Sequence, residues 1–287
     1  MVKVNGKMLR HLKEIRRGLD DNYINYHHPK WIGTDPVKFL HEYEDPLDQE
    51  IVGLIAASLA YGNVTAINAS IQRVLKIMGN LPREFLVETG RDQISRAFIG
   101  FRHRWTGVES ITALMTGMQQ VIQEYGSLGE AFTSVDDGDP DITKPLARWV
   151  RQLKKGQAAQ TKNMLSDPER NSACKRLHLY LRWMVRNDEI DPGCWKGIKP
   201  DRLLVPLDTH VFRFSKACGF TSRNAADRKT VEEITGVFRV ITPDDPVKFD
   251  FSMTRPGIID GWIPTGKKHG FLFDNPAVCQ ERKEKSK

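Results

Sequence analysis

The sequence predicts an all-α protein, on three observations. Apolar residues recur at three- and four-residue intervals, the segments that carry them stop at glycine or proline, and no stretch alternates apolar with polar as a half-buried strand would. The first clear helix is "DQEIVGLIAASLAYG", acidic at its start, with Ile51, Leu54, Ile55, Ser58 and Leu59 along one stripe. After Gly62 and Asn63, "VTAINASIQRVLKIMG" continues as an amphipathic helix that Gly79 ends, since glycine takes the left-handed conformation past a helix terminus without a Cβ clash. "GVESITALMTGMQQVIQEYG" follows, burying Ile111, Leu114, Met115, Met118, Val121 and Ile122. Further helices are expected at "KPLARWVRQLKK", "ACKRLHLYLRWMVR", "THVFRFSKACG" and "RKTVEEITGVFRVI", with another near the N-terminus and no β-hairpin anywhere. The acidic break "SVDDGDPDITKP" lacks the alternating ligand order and closing glutamate of a calcium loop, so it reads as a solvated connection.

Composition narrows the class. The chain has 287 residues, 40% of them hydrophobic, enough for one large domain or two closely joined lobes with a real core. The positively charged N-terminus is not followed by an apolar segment of signal-peptide type, and "IVGLIAASLAYG" is too short to span a bilayer. A soluble cytoplasmic protein is expected, nucleoid-associated if prokaryotic. Cys174, Cys194, Cys218 and Cys279 form no C-x-x-C pair, so neither a zinc ribbon nor an iron–sulfur loop has its spacing, and reduced thiols are expected. No G-x-G-x-x-G or Walker loop supports a nucleotide cofactor, and no metal or other cofactor is expected. The net charge of +7 suits a polyanionic partner without identifying one.

The candidate chemistry lies in two segments. In "LLVPLDTHVFRFSKACG" an apolar run, Leu203 to Leu207 with Pro206 inside it, leads to Asp208, which has the position of a helix N-cap. Capping alone accounts for an aspartate there. In "ACKRLHLYLRWMVR", Lys175, His178, Arg182 and Arg186 fall on one stripe opposite Leu177, Tyr180, Leu181, Met184 and Val185. That stripe is either a basic solvent face or the wall of a phosphate-binding cleft with Lys175 at its inner end.

These two segments together resemble the core of the helix-hairpin-helix base-excision DNA glycosylases, most nearly the archaeal 8-oxoguanine glycosylase branch. There a lysine opens the second hairpin helix, and an aspartate after a hydrophobic-Pro-hydrophobic segment caps a later one. Lys175 and the Asp208 of "VPLDTHV" match those positions. The earlier "EIVGLIAASLAYGNVTAINASIQRVL" is similar to the first barrel helices of that superfamily, where an interhelix loop inserts a residue into DNA; Asn63 would stand there. "DPLDQEIVGLIAASLAYGNV" also looks like an uncharacterised bacterial family sharing this fold. The resemblance runs from about Asp48 to Gly257 with two departures. "SDPERNSACK" replaces the glycine-rich hairpin, leaving Arg170 and Ser172 as substitutes for its phosphate grip, and there is no iron–sulfur tail beyond Cys279.

The resemblance implies a two-lobed, all-α architecture with an interlobe cleft. Residues 46–190 would carry the lysine, and residues 1–45 with 200–287 the aspartate. It implies a DNA N-glycosylase with AP lyase activity, binding damaged duplex DNA and removing a damaged base, an oxidised purine by branch. Lys175 and Asp208 would be catalytic. Asn63, Arg170, Ser172, His178, Arg182, Arg186 and His210 would contact DNA, although Asn63 also suits an ordinary turn and His210 a hydrogen bond within its helix start. Trp183, Trp195 and Trp262 are possible stacking platforms, or plain core packing. The alternative is a nucleic-acid-binding protein that keeps the fold without catalysis.

Overall fold

The computed structural model describes residues 6–259, with side chains from residue 11 onward. The chain is built from α-helices, as the periodicity predicts. Helix α1 (Gly6–Tyr26) is followed by two 3-10 turns, Pro29–Thr34 and Pro36–Glu42, each with proline in its first position. Helix α2 (Pro46–Leu59) starts where Asp45 Oδ1 accepts from the Leu47 amide at 2.8 Å. Helix α3 (Val64–Met78) is capped by Asn63 and stopped by Gly79, whose φ of +75° is the left-handed conformation that glycine tolerates. Two short helices, α4 (Pro82–Glu88) and α5 (Arg91–Ala97), precede α6 (Val108–Tyr125), α7 (Leu128–Val135) and α8 (Thr143–Leu153). The chain then forms α9 (Lys175–Val185), α10 (Thr209–Ala217), α11 (Arg228–Ile241) and α12 (Asp250–Ile259). Among the described residues no helix is long and apolar enough to cross a membrane.

One expectation about local structure needs correcting. A minimal antiparallel hairpin does exist, pairing β1 (Arg102–His103) with β2 (Thr106–Gly107). Strands this short have no room to show a period of two, and the turn takes Arg104 to a φ of +54° without a glycine to announce it.

Helix α2 is the centre of the packing. Its residues from Glu50 to Leu59 are all buried, because the 36–42 turn and α9 cover it while α3, α4 and α7 close around it. Gly53 lets α9 approach, since a Cβ there would come within 3.0 Å of Met184 and 3.2 Å of Tyr180. Helix α6 packs against α4, α5, α7 and α8, and Gly117 lets it touch the backbone of α8 at Leu153. On the other side α1 lies along α12 and α11, with α10 against α12. The 36–42 turn thus packs on α2, and a single continuous apolar core joins the two halves of the chain.

Covered by α2 and by the returning segment after it, α9 has no open face: every residue from Leu177 to Val185 is buried. Backbone bonds from Gly193 to the Trp183 carbonyl (3.1 Å) and from Trp195 to that of Met184 (2.8 Å) fold this segment back onto the helix. The basic stripe therefore turns inward. Arg182 pairs with Asp191 at 3.1 Å and with Asp250, and Arg186 pairs with Asp188 and Asp245, both at 2.8 Å, and with Asp191. An arginine whose guanidinium is spent on buried carboxylates has none left for a DNA phosphate, so Arg182 and Arg186 are interior ion-pair residues. His178 is buried as well, and burial lowers its pKa to about 4, which leaves it neutral. Trp183 is fully enclosed and offers no face for stacking.

Candidate functional site

The apolar run before Asp208 is buried from Leu203 to Leu207, and the Val205 amide donates to Thr235 Oγ1 at 3.1 Å. This anchors the chain in the core just before α10 and delivers Asp208 to a half-buried position at the helix start. There its Oδ1 accepts from the Val211 amide at 2.8 Å, the N-cap bond the sequence suggests.

Lys175 is placed by a different device. The preceding Cys174 adopts a left-handed conformation (φ +45°, ψ +33°), and its amide donates to Ser172 Oγ at 3.2 Å. Ser172 itself pairs with Asp227 through a backbone bridge, tying the turn to the start of α11. The turn starts α9 so that Lys175 Nζ reaches toward the Ala60 carbonyl, 3.5 Å away at the end of α2. Burial pushes the Cys174 thiol up, away from thiolate.

Lys175 and Asp208 meet at the junction of two adjoining cavities. The first, about 500 Å³, is also lined by Tyr61, Ser172, Cys174 and Arg176. The second, about 310 Å³, is also lined by Asp35, Arg182, Asp250 and Arg255, and by the exposed Gly62 and Val64. Lys175, Asp208, Tyr61, Ala60 and Thr209 line both.

The two cavities differ in charge. Lys175 and Arg176 have no carboxylate ion-pair partner among the described residues, and Arg176 bonds instead to the Ser58 carbonyl at 2.8 Å. Both arginines of the second cavity are matched: Arg255 pairs with Asp35 at 2.9 Å, and Arg182 with Asp191 and Asp250. Burial raises the Asp250 pKa to about 6 against the pull of Arg182, and the charge of Asp208 pushes the same way as burial. Asp35 ends below the usual carboxylate range although burial pushes it up, because Arg255 and Arg182 together outweigh the desolvation.

An aromatic pile borders the mouth. Tyr61 stacks on Trp105 at 4.8 Å and 18°, with Arg104 over the outer face of Trp105 (4.7 Å) and Arg176 over Tyr61 (5.1 Å). Trp105 remains 56% exposed at the tip of the hairpin. The Tyr61 hydroxyl is within 2.6 Å of Thr106 Oγ1 and donates to the His103 carbonyl at 2.9 Å, which locks hairpin and tyrosine together. Gly62, at φ +101°, lets Arg104 lie where a Cβ would be 2.9 Å from its guanidinium. Arg102 and Arg73 sit beside this pile, and their donors go to backbone carbonyls.

The other residues picked from the sequence divide. Ser172 lines the first cavity and His210 the second. Asn63 is exposed beside Gly62 and caps α3 by accepting from the Thr65 amide at 2.9 Å. Arg170 is exposed and 3.4 Å from Asp167. Trp195 is buried, donating to Glu50 Oε2 at 2.8 Å. Trp262 lies outside the described residues. Among the described residues no group of three or more His, Cys, Asp or Glu side chains is placed to hold a metal ion. The acidic 136–141 loop instead serves Arg202, Arg148 and Lys144 as ion-pair partners. Sequence reading passed over Trp105, Arg104 and Arg176, although "FRHRWTG" interleaves basic and aromatic residues. It passed over Asp35, Asp250 and Arg255 too, which no local pattern marks.

In comparisons with known proteins, a family model described as "Protein of unknown function (DUF2400)" matches residues 35–259. No curated protein and no solved structure matches the chain.

Proposed function

We propose that the chain, which belongs to the DUF2400 family, is a DNA base-excision glycosylase with AP lyase activity. The observation that carries this reading is the convergence of Lys175 and Asp208, distant in sequence and on different helices, at the junction of two adjoining cavities. The first cavity is lined by Lys175 and Arg176, which have no carboxylate ion-pair partner among the described residues, and a phosphodiester backbone requires such cations. The exposed Trp105, stacked on Tyr61 and flanked by arginines, is the kind of surface on which an unpaired base stacks.

The residues have separate tasks. As the N-glycosidic bond breaks, its electron pair leaves with the base and positive charge grows on the sugar. The Asp208 carboxylate offsets that charge. The Lys175 amine, once deprotonated, adds to C1′; loss of the ring oxygen bond gives a Schiff base, and abstraction of a C2′ proton then expels the 3′ phosphate by β-elimination. Extruding the nucleotide is a precondition, because a base inside the duplex cannot reach a recessed pair. An oxidised purine is the substrate implied by the resemblance to the 8-oxoguanine branch.

The test is borohydride trapping on duplexes containing oxidised, deaminated or abasic sites. The parent protein is expected to yield a covalent adduct and a nicked strand, and Lys175→Gln to lose both while staying folded and retaining DNA binding. An adduct that persists in Lys175→Gln places the nucleophile elsewhere. DNA binding with no adduct from the parent on any substrate would leave a nucleic-acid-binding protein without catalysis.

A further inference from the structure

His103 is a buried titratable side chain that lines neither cavity, and the proposed chemistry makes no use of it. It stands in β1 and is 3% exposed. Its ring spans two elements. Nδ1 lies 3.0 Å from Ser70 Oγ on α3, and Nε2 lies 3.1 Å from the Tyr61 carbonyl in the turn after α2. A carbonyl only accepts, so Nε2 carries the hydrogen and Nδ1 accepts from the serine hydroxyl. Burial lowers the pKa of the ring against the pull of the Tyr61 carbonyl, with Arg104 and Arg73 pushing the same way as burial. The ring is therefore neutral near pH 7 and fixed in that one tautomer.

Tyr61 returns the contact. Its hydroxyl donates to the His103 carbonyl at 2.9 Å, and the two rings meet edge to face with centroids 4.6 Å apart. Residues 61 and 103 thus hold each other by two hydrogen bonds of opposite direction, which leaves the turn little freedom. That turn forms the surroundings of the lysine. The neighbouring Ala60 carbonyl lies 3.5 Å from Lys175 Nζ, and Arg176, the next residue after Lys175, lies over the Tyr61 ring that lines both cavities. A helix leaves its last carbonyls without partners of its own. At the end of α2 the side chains of α9 meet them: Ser58 accepts from Arg176 at 2.8 Å, and Ala60 faces Lys175. The start of α9 is seated on the end of α2, and His103 fixes where that end lies.

We infer that His103 is a positioning residue for Lys175: through Tyr61 it holds the turn against which the amine is aimed into the cavities. The inference rests on the glycosylase reading for the reaction that Lys175 performs. His103 acts through Tyr61 and not on the reacting atoms. Its removal should act on rate more than on affinity, because a displacement of about 1 Å in a reacting group can cost on the order of a hundredfold.

Two isosteres separate the two ring bonds. In His103→Asn the amide takes the place of Nδ1 and keeps Ser70, while in His103→Gln it takes the place of Nε2 and keeps the Tyr61 carbonyl. Single-turnover borohydride trapping on an abasic duplex should slow at least roughly tenfold in His103→Asn, with the DNA dissociation constant unchanged. His103→Gln should restore most of that rate. Reductive alkylation with a small free aldehyde, mapped by mass spectrometry, should change in the opposite sense. Lys175 released from the Ala60 carbonyl should label faster in His103→Asn, measured against the exposed Lys162. A side chain that only stabilised the fold would lower trapping rate, affinity and melting temperature together, and equally in both variants. Trapping by His103→Asn at the parent rate, equal loss in both variants, or unchanged labelling of Lys175 would overturn the inference. If neither variant folds, Tyr61→Phe decides: it keeps the ring stack and removes only the hydroxyl bonds, and slow trapping with fast labelling is expected of it, parent values overturning the inference. The labelling needs no DNA. A parent that forms no adduct therefore sinks the glycosylase reading while labelling still decides on His103, and an adduct with unchanged labelling sinks the positioning role alone.

Discussion

Asp208 serves a helix and, in the proposed reaction, a sugar cation, and the two roles separate on substitution. Its Oδ1 takes the Val211 amide at 2.8 Å, and the same carboxylate faces both cavities. In Asp208→Asn the amide oxygen can still accept from Val211. Asn and Asp cap about equally, so the stability change should stay within a few tenths of a kcal/mol, against about 1 kcal/mol lost in Asp208→Ala. Removing the charge also lifts a repulsion from Asp250, which lines the second cavity with it. Excision should respond differently. Taking away one preorganised electrostatic partner of a developing charge costs about 3 kcal/mol in other enzymes, so single-turnover excision by Asp208→Asn should fall by roughly a hundred- to a thousandfold. Urea denaturation measures the first effect, and quenched-flow cleavage of a lesion duplex the second. Asparagine and parent excising at equal rates would reduce Asp208 to a cap. Asparagine destabilised as much as alanine would mean that the carboxylate charge, not the cap bond, stabilises α10.

Other substitutions follow from the division between spent and available cations. Arg182→Met strands Asp250 without its ion-pair partner and leaves Asp191 to Arg186 alone, and should destabilise the fold by about 3–5 kcal/mol, read from denaturant midpoints. Arg104→Ala should leave stability nearly intact but make the plot of log DNA affinity against log salt less steep by about one phosphate contact; an unchanged slope would remove the hairpin from the interface. Trp105→Ala should weaken binding to DNA with an unpaired base by about 1–3 kcal/mol and change melting little, since the ring is mostly exposed. Burial raises the Glu50 pKa from 4.5 to about 7, so the folded protein holds a proton there that the unfolded chain releases earlier. This contribution to stability is complete below pH ~4.5 and lost as pH rises through ~7, an effect of about 3 kcal/mol that Glu50→Gln should flatten in melting scans.

How much was legible in the sequence depended on the range of the interaction. Helices α2, α3, α6 and α8 to α11 could be read because each has enough turns for a 3.6-residue period to show, and the stop at Gly79 because a left-handed terminus needs glycine over a few residues only. Helices α4, α5 and α7 are too short to display a period, and the hairpin shorter still. The capping role of Asp208 was legible for the same local reason, since its partner Val211 lies within the next turn.

What sequence by itself determined was which residues share a helical face; what covers that face was settled only by the fold. Lys175, Arg182 and Arg186 lie on one stripe by periodicity, yet Lys175 opens onto two cavities without a carboxylate ion-pair partner among the described residues, while the arginines are spent on Asp191, Asp245 and Asp250. Those aspartates come from a returning loop, from the segment after α11 and from α12, none of them in register with α9. The stack of Tyr61 on Trp105 and the pairing of Arg255 with Asp35 arise likewise from segments far apart in the chain. A helical period records the direction in which a side chain leaves its own helix. Whether it then meets water, a carboxylate or a ligand depends on which distant segments the apolar core draws against it.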